Sequence, residues 1–171
     1  EHRGDALLLT ALTGILSSRF PHRTTLNHPR CRLMISTMRE FSLPIRVYIE
    51  DTDAGGIVYY VNYLKYFERA RTELVRSLGH GKRAVMDDGT QFVVSTAEIH
   101  YREPARLDDD LVSVAACREV GGATIIFDQK VLRGDKVLVE GSVRIALIDS
   151  ATGRPKRLAA DLRSALMEDG E

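Results

Sequence analysis

Three acids fall within four residues at Glu50, Asp51 and Asp53, and a double glycine, Gly55-Gly56, follows them. Glycine lets a ligand approach the backbone closely. A few residues later, from Asn62, apolar side chains recur at helical spacing, and the N-terminus of a helix presents unpaired N–H groups and positive potential. A carboxylate able to attack or to activate water would then stand beside oriented donors for a developing oxyanion. That combination suits acyl transfer. The same residues also fit an acidic strand-to-helix loop whose carboxylates only cap its turns, and on residue types alone both readings stand.

The elements that must position this loop are legible on either side. Ile45, Val47 and Ile49 alternate with Arg46 and Tyr48, the period of a half-buried strand. Asn62 can cap a helix. Leu64, Phe67, Ala70, Leu74 and Leu78 follow at steps of three and four, with Lys65, Glu68, Arg69, Thr72, Glu73 and Arg76 on the other face. Gly79 sits where a helix C′ residue belongs. Strands are expected at Phe92 to Tyr101, Leu111 to Val120, Thr124 to Arg133 and Lys136 to Ile148, in meander-like succession. Gly134-Asp135 reads as a two-residue hairpin turn. Ala159 to Met167 reads as a short terminal helix. One strand, one long helix and four strands predict an α+β fold with an antiparallel sheet and a helix on a single face.

The segment YIEDTDAGGIVYYVNYLKYFERARTE, from Tyr48 to Glu73, resembles the active-site signature of the 4-hydroxybenzoyl-CoA thioesterase group of hotdog proteins, above all its bacterial Tol–Pal-associated subfamily. The matching residues are Tyr48, Glu50 to Ala54, Gly56, Val58, Tyr59, Tyr63 and Glu68 to Glu73. A second block, Pro104-Ala105-Arg106-Leu107-Asp108-Asp109, is similar to the family's pattern too. The resemblance runs from about Ile45 to Leu158 and implies a hotdog: a long central helix packed on a curved antiparallel sheet, in a homodimer or homotetramer. It implies hydrolysis of short or medium acyl-CoA, or of acyl groups on acyl carrier protein, with Asp53 as nucleophile or general base. The backbone N–H of Tyr60 would hold the carbonyl oxygen, Gly56 would admit the thioester, and Asn62 would cap the helix or touch the reacting group. Some Tol–Pal-associated members carry His where this chain has Tyr60, so no catalytic histidine is assigned. Arg102, Arg106 and Arg118 are candidates for the CoA phosphates. No cofactor is expected, coenzyme A being part of the substrate. The alternative is a catalytically weak hotdog module that binds acyl carrier protein or envelope and phospholipid-synthesis proteins. Enoyl-CoA hydration is disfavoured, because the acidic loop offers no His.

Other features have plainer readings. Gly79-His80-Gly81-Lys82 lacks phosphate-loop spacing and reads as a helix end and a loop. His100 reads as a sheet-surface residue and Cys117 as an inert buried thiol. Arg133-Gly134-Asp135 is explained by the hairpin. No histidine pair has metal-ligand spacing, so no metal is expected. The basic segment Arg154-Pro155-Lys156-Arg157 reads as solvated surface or as a phosphate clamp.

The 171 residues suit one domain, and 44% hydrophobic content can supply its core. Lys plus Arg and Asp plus Glu are 24 each, which disfavours a general nucleic-acid binder. The two cysteines, Cys31 and Cys117, call for no staple and suit a reducing, cytoplasmic setting, with peripheral association at the inner membrane as a variant. Ala6 to Leu16 is apolar but too short to span a bilayer. Residues 1–37 read as a disordered N-terminal extension or a mis-set start, and 38–171 as the hotdog domain.

Overall fold

The computed structural model describes residues 39–80, 86 and 88–168. The expected extension at 1–37 lies outside the described residues, as do Gly81 and Lys82. Strand β1 (Glu40–Arg46) leads through a 3-10 turn (Ile49–Asp51) to helix α1 (Tyr60–Ser77). Four strands follow, β2 (Thr90–Tyr101), β3 (Asp110–Val120), β4 (Thr124–Arg133) and β5 (Lys136–Asp149), and then helix α2 (Ala160–Met167). All five strands join one antiparallel sheet in the order β1-β3-β4-β5-β2. This is the expected α+β architecture, a long helix on one face of an antiparallel sheet.

Two expectations need correction. Strand β1 stops at Arg46, because the 3-10 turn folds the chain back through Asp51 N–H to Tyr48 O and Thr52 N–H to Ile49 O. Val47 stays fully buried, but Ile49 is 73% exposed rather than a third inward residue. The four later strands are also not a full meander. Only β3, β4 and β5 are sequential neighbours; β2 crosses to the far edge and pairs with β5. Alternation identifies a strand and its two faces but not its neighbour.

The core lies between α1 and the sheet. Tyr63, Tyr66, Phe67, Ala70 and Leu74 of the helix meet Leu111, Ala115, Phe127, Val131, Val143 and Leu147 of the strands, and Leu158, Leu162 and Leu166 close one end. Two buried sheet side chains reach the helix backbone: Ser113 Oγ donates to Tyr66 O at 3.0 Å and Gln129 Nε2 to Phe67 O at 2.8 Å. Helix α1 ends as its spacing predicts. Gly79 N–H returns to Arg76 O and His80 N–H to Val75 O, which satisfies carbonyls the last turn would leave unpaired. Gly134-Asp135 makes the two-residue turn between the paired Arg133 and Lys136. Among the described residues, no helix is long and apolar enough to cross a membrane.

Candidate active site

The acidic loop is held as a small hairpin. Thr52 and Val58 form an antiparallel bridge, Asp53 N–H donates to Ile57 O at 2.9 Å, and Gly56 N–H donates to Asp53 O at 3.0 Å. Gly56 closes this turn at φ +72°, where an L side chain would be strained. Asp53 is exposed at the tip. Its Oδ1 accepts the Gly55 N–H at 2.8 Å, so one carboxylate oxygen is oriented by its own loop.

Helix α1 begins where this hairpin returns. Tyr59 is its N-cap and makes no side-chain capping bond, and Tyr60 is the first helical residue. The N–H of Tyr60 is therefore one of the first-turn donors that have no i−4 carbonyl to bond. Asn62 does not cap the helix, as its spacing had predicted. It lies within the first turn, 4% exposed, and its Nδ2 donates to Asp51 O at 2.8 Å. The same carbonyl accepts the Tyr59 N–H at 2.9 Å.

The second family-like block backs this loop. Val58 N–H donates to Ala105 O at 2.9 Å, Ile57 bridges Arg106, and Ala105 N–H donates to the buried Tyr63 hydroxyl at 2.8 Å. Burial pushes the Tyr63 phenol up against the opposing effect of that N–H. Asp108, at φ +65°, turns the chain so that Asp109 can accept from Arg106 N–H and from Arg133, both at 2.8 Å. Burial would raise the Asp109 carboxyl, but these two donors together hold it below its usual value.

A tyrosine cluster, which the sequence analysis did not single out, adjoins the helix start. Tyr59 and Tyr60 have ring centroids 4.8 Å apart, Tyr60 and Tyr101 6.3 Å, and Tyr101 and Tyr63 5.9 Å. The Tyr101 hydroxyl donates to Tyr60 O at 3.3 Å. The Tyr59 phenol is pushed up, first by the Tyr60 hydroxyl, then by burial and by the Asp53 charge. The spacing of Tyr59, Tyr63 and Tyr66 along one helix face was the signal available for part of this cluster. Nothing local pointed to Tyr101, which arrives from β2.

The three candidate arginines are not gathered within one chain. Arg106 adjoins Ile57 in the loop. Arg102 pairs with Glu140 of β5, and Arg118 pairs with Asp128 of β4 at 2.8 Å. Both acids stand on the sheet face away from α1, since the alternate residues of their strands are the ones buried in the core. A cavity of about 390 Å³, lined by Glu98, His100, Asp128 and Glu140 among others, lies on that outer face and not at Asp53. His100 stands 3.3 Å from Glu98 on this surface. Cys117 is buried, and burial pushes its thiol up to about 11. Among the described residues no group of three His, Cys, Asp or Glu is placed to hold a metal ion.

Comparison with known proteins places this geometry in a lineage. The model of the thioesterase superfamily matches residues 55–140. The chain is 41% identical over 126 residues to the acyl-CoA thioesterase YbgC of Haemophilus influenzae, covering 73% of this chain and 93% of that protein. It is 37% identical over 119 residues to the acyl-CoA thioester hydrolase YbgC of Escherichia coli, covering 69% and 89%. A solved structure described as a probable thioesterase from Bartonella henselae superposes with a TM-score of 0.67 at 34% identity, over 71% of this chain and all of that one.

Proposed function

The chain belongs to the thioesterase superfamily and is a thioester hydrolase, and on that premise we propose that it hydrolyses short or medium acyl-CoA thioesters with Asp53 as the reacting carboxylate. The observation that carries this reading is the pairing of an exposed, oriented carboxylate with a helix start on one stitched hairpin. Asp53 attacks the thioester carbonyl, giving a mixed anhydride that water then cleaves, or it takes a proton from the attacking water. The thiolate leaves and is protonated. The negative charge that develops on the carbonyl oxygen is met by the Tyr60 N–H, which adds the positive end of the helix dipole to a hydrogen bond. Gly56 leaves the approach open, since a Cβ there would meet nothing within 4 Å.

The active unit in this reading is a homodimer or homotetramer. Among the described residues strand β2 is a sheet edge of 12 residues, with Val93, Val94 and Tyr101 exposed by 37%, 52% and 47%. A long edge with apolar exposure calls for cover. A second copy pairing there would extend the sheet and wall the site beside Tyr101. In such an assembly Arg102, Arg106 and Arg118 of neighbouring copies are the candidate holders of the CoA phosphates. Acyl carrier protein is the alternative carrier of the acyl group, and the setting is cytoplasmic or peripheral to the inner membrane.

The test is thiol release from a panel running from acetyl-CoA to palmitoyl-CoA, with acyl carrier protein thioesters in parallel. Turnover that peaks at short or medium chains is expected. Binding of acyl-CoA with no thiol release from any member would refute the hydrolase reading in favour of a binding module.

A further inference from the structure

The three acids between β1 and α1 have different surroundings. Glu50 is exposed. Asp53 is exposed and bonds only to its own loop. Asp51 is partly buried and, through three hydrogen bonds, holds two pieces of chain. Its Oδ2 accepts the Tyr48 N–H at 3.0 Å, which pins the start of the 3-10 turn. Its carbonyl accepts both the Tyr59 N–H and the Asn62 side chain, which pins the start of α1. One turn further along, the Tyr66 hydroxyl is fully buried, and after burial itself the Asp51 carboxylate beside it is the main influence on it.

The consequence is geometric. Only Thr52 separates the Asp51 carbonyl from Asp53, and Thr52 is itself bridged to Val58. Only one peptide separates the Tyr59 N–H from the Tyr60 N–H. A bond between Asp51 and Tyr59 therefore fixes the proposed oxyanion donor relative to the proposed reacting carboxylate, and Asn62 doubles that bond. We propose that Asn62 is a positioning residue: through the Asp51 main-chain carbonyl it holds the Tyr60 N–H and Asp53 in one frame, the Asp51 carboxylate pins the turn that carries that carbonyl, and neither side chain takes part in proton transfer or attack. The proposal rests on the reading of Asp53 given above.

The test uses the full chain and point variants of it. Asp51→Asn keeps an acceptor oxygen for the Tyr48 N–H, so kcat should stay within about fivefold of wild type, far from the losses that follow removal of a positioned acid or base. Asn62→Ala removes the side-chain bond to the Asp51 carbonyl, and kcat should fall about 10²-fold with KM within about twofold, as a misplacement near 1 Å produces; Asp51→Ala keeps that carbonyl and frees only the Tyr48 N–H, so its loss should be smaller. Glu50→Gln should behave as wild type. The acid limb of the pH–rate profile should keep its midpoint in both Asp51 variants. Hydrogen exchange at the Tyr59 amide should quicken in Asn62→Ala and change less in Asp51→Ala, a readout that needs no turnover. If Asn62→Ala does not fold, Asn62→Asp, which replaces the donor by an acceptor, carries the same comparison. The proposal is overturned if Asp51→Asn loses as much activity as Asp53→Asn, or if turnover or exchange at Tyr59 is unchanged in Asn62→Ala. If the wild type itself releases no thiol, the hydrolase reading fails, and unchanged or quickened exchange at Tyr59 in Asn62→Ala still decides whether Asn62 holds the frame.

Discussion

Replacing Asp53 by asparagine exchanges one oxygen for an NH₂ group and keeps the shape of the side chain. The retained oxygen can still accept the Gly55 N–H now held at 2.8 Å. The other bonds of the hairpin, Asp53 N–H to Ile57 O and Gly56 N–H to Asp53 O, are main-chain and do not depend on the charge. Because the residue is exposed, its stability change should stay within about 0.5 kcal/mol, the usual range for a surface substitution. The chemistry has no such substitute. An amide neither attacks a thioester nor accepts a proton from water at neutral pH, so kcat should fall by about 10²–10⁴-fold. At about 1.36 kcal/mol per decade that is roughly 2.7–5.4 kcal/mol of barrier, several times the largest expected stability change. The assay is steady-state thiol release beside a thermal melt of the same preparation. A variant that melts like wild type and retains activity within threefold would refute the assignment of Asp53. Loss of activity together with a fall of several degrees in Tm would mean that the hairpin had been damaged, and the argument from a retained Gly55 bond would be wrong.

Gly141→Ala should destabilise the sheet by about 1–3 kcal/mol or more, because overpacking against fixed atoms cannot relax cheaply. A Cβ there would stand 2.3 Å from the Glu98 carbonyl oxygen of the paired strand, and an unchanged urea midpoint would refute that close approach. Gln129→Leu removes the acceptor of the buried Arg71 guanidinium at 2.5 Å and the donor to Phe67 O, and should cost about 1.5–3 kcal/mol, the range for hydrogen bonds to charged groups. Burial already lowers the Arg71 pKa to about 10, and full stability of the variant in denaturant would show that Gln129 is not its support. Light scattering at micromolar concentration should find dimers or tetramers joined along β2, and a stable monomer with full turnover would refute the shared site.

Spacing along the chain determined what is local. The steps of three and four from Leu64 to Leu78 set one helix face, and Gly79 marks its end, because both depend on residues within a turn or two of each other. Period-two alternation placed the later strands to within a residue or two for the same reason. Asp53 was singled out because its loop is a contiguous motif, and the chemistry proposed for it needs only an acid next to a helix start. The tertiary structure decided what depends on residues far apart in the chain. It sent β2 past three strands to pair with β5, and it carried Arg102 and Arg118 to the face away from α1. It turned Asn62 from an expected cap into a buried partner of Asp51, eleven residues away. It placed Ala105 on the hydroxyl of Tyr63 and Gln129 on Arg71, pairs separated by 42 and 58 residues. A side chain's period fixes which face it lies on. What it meets across that face depends on how buried polar groups find partners when the core closes, and no spacing within a single segment contains that information.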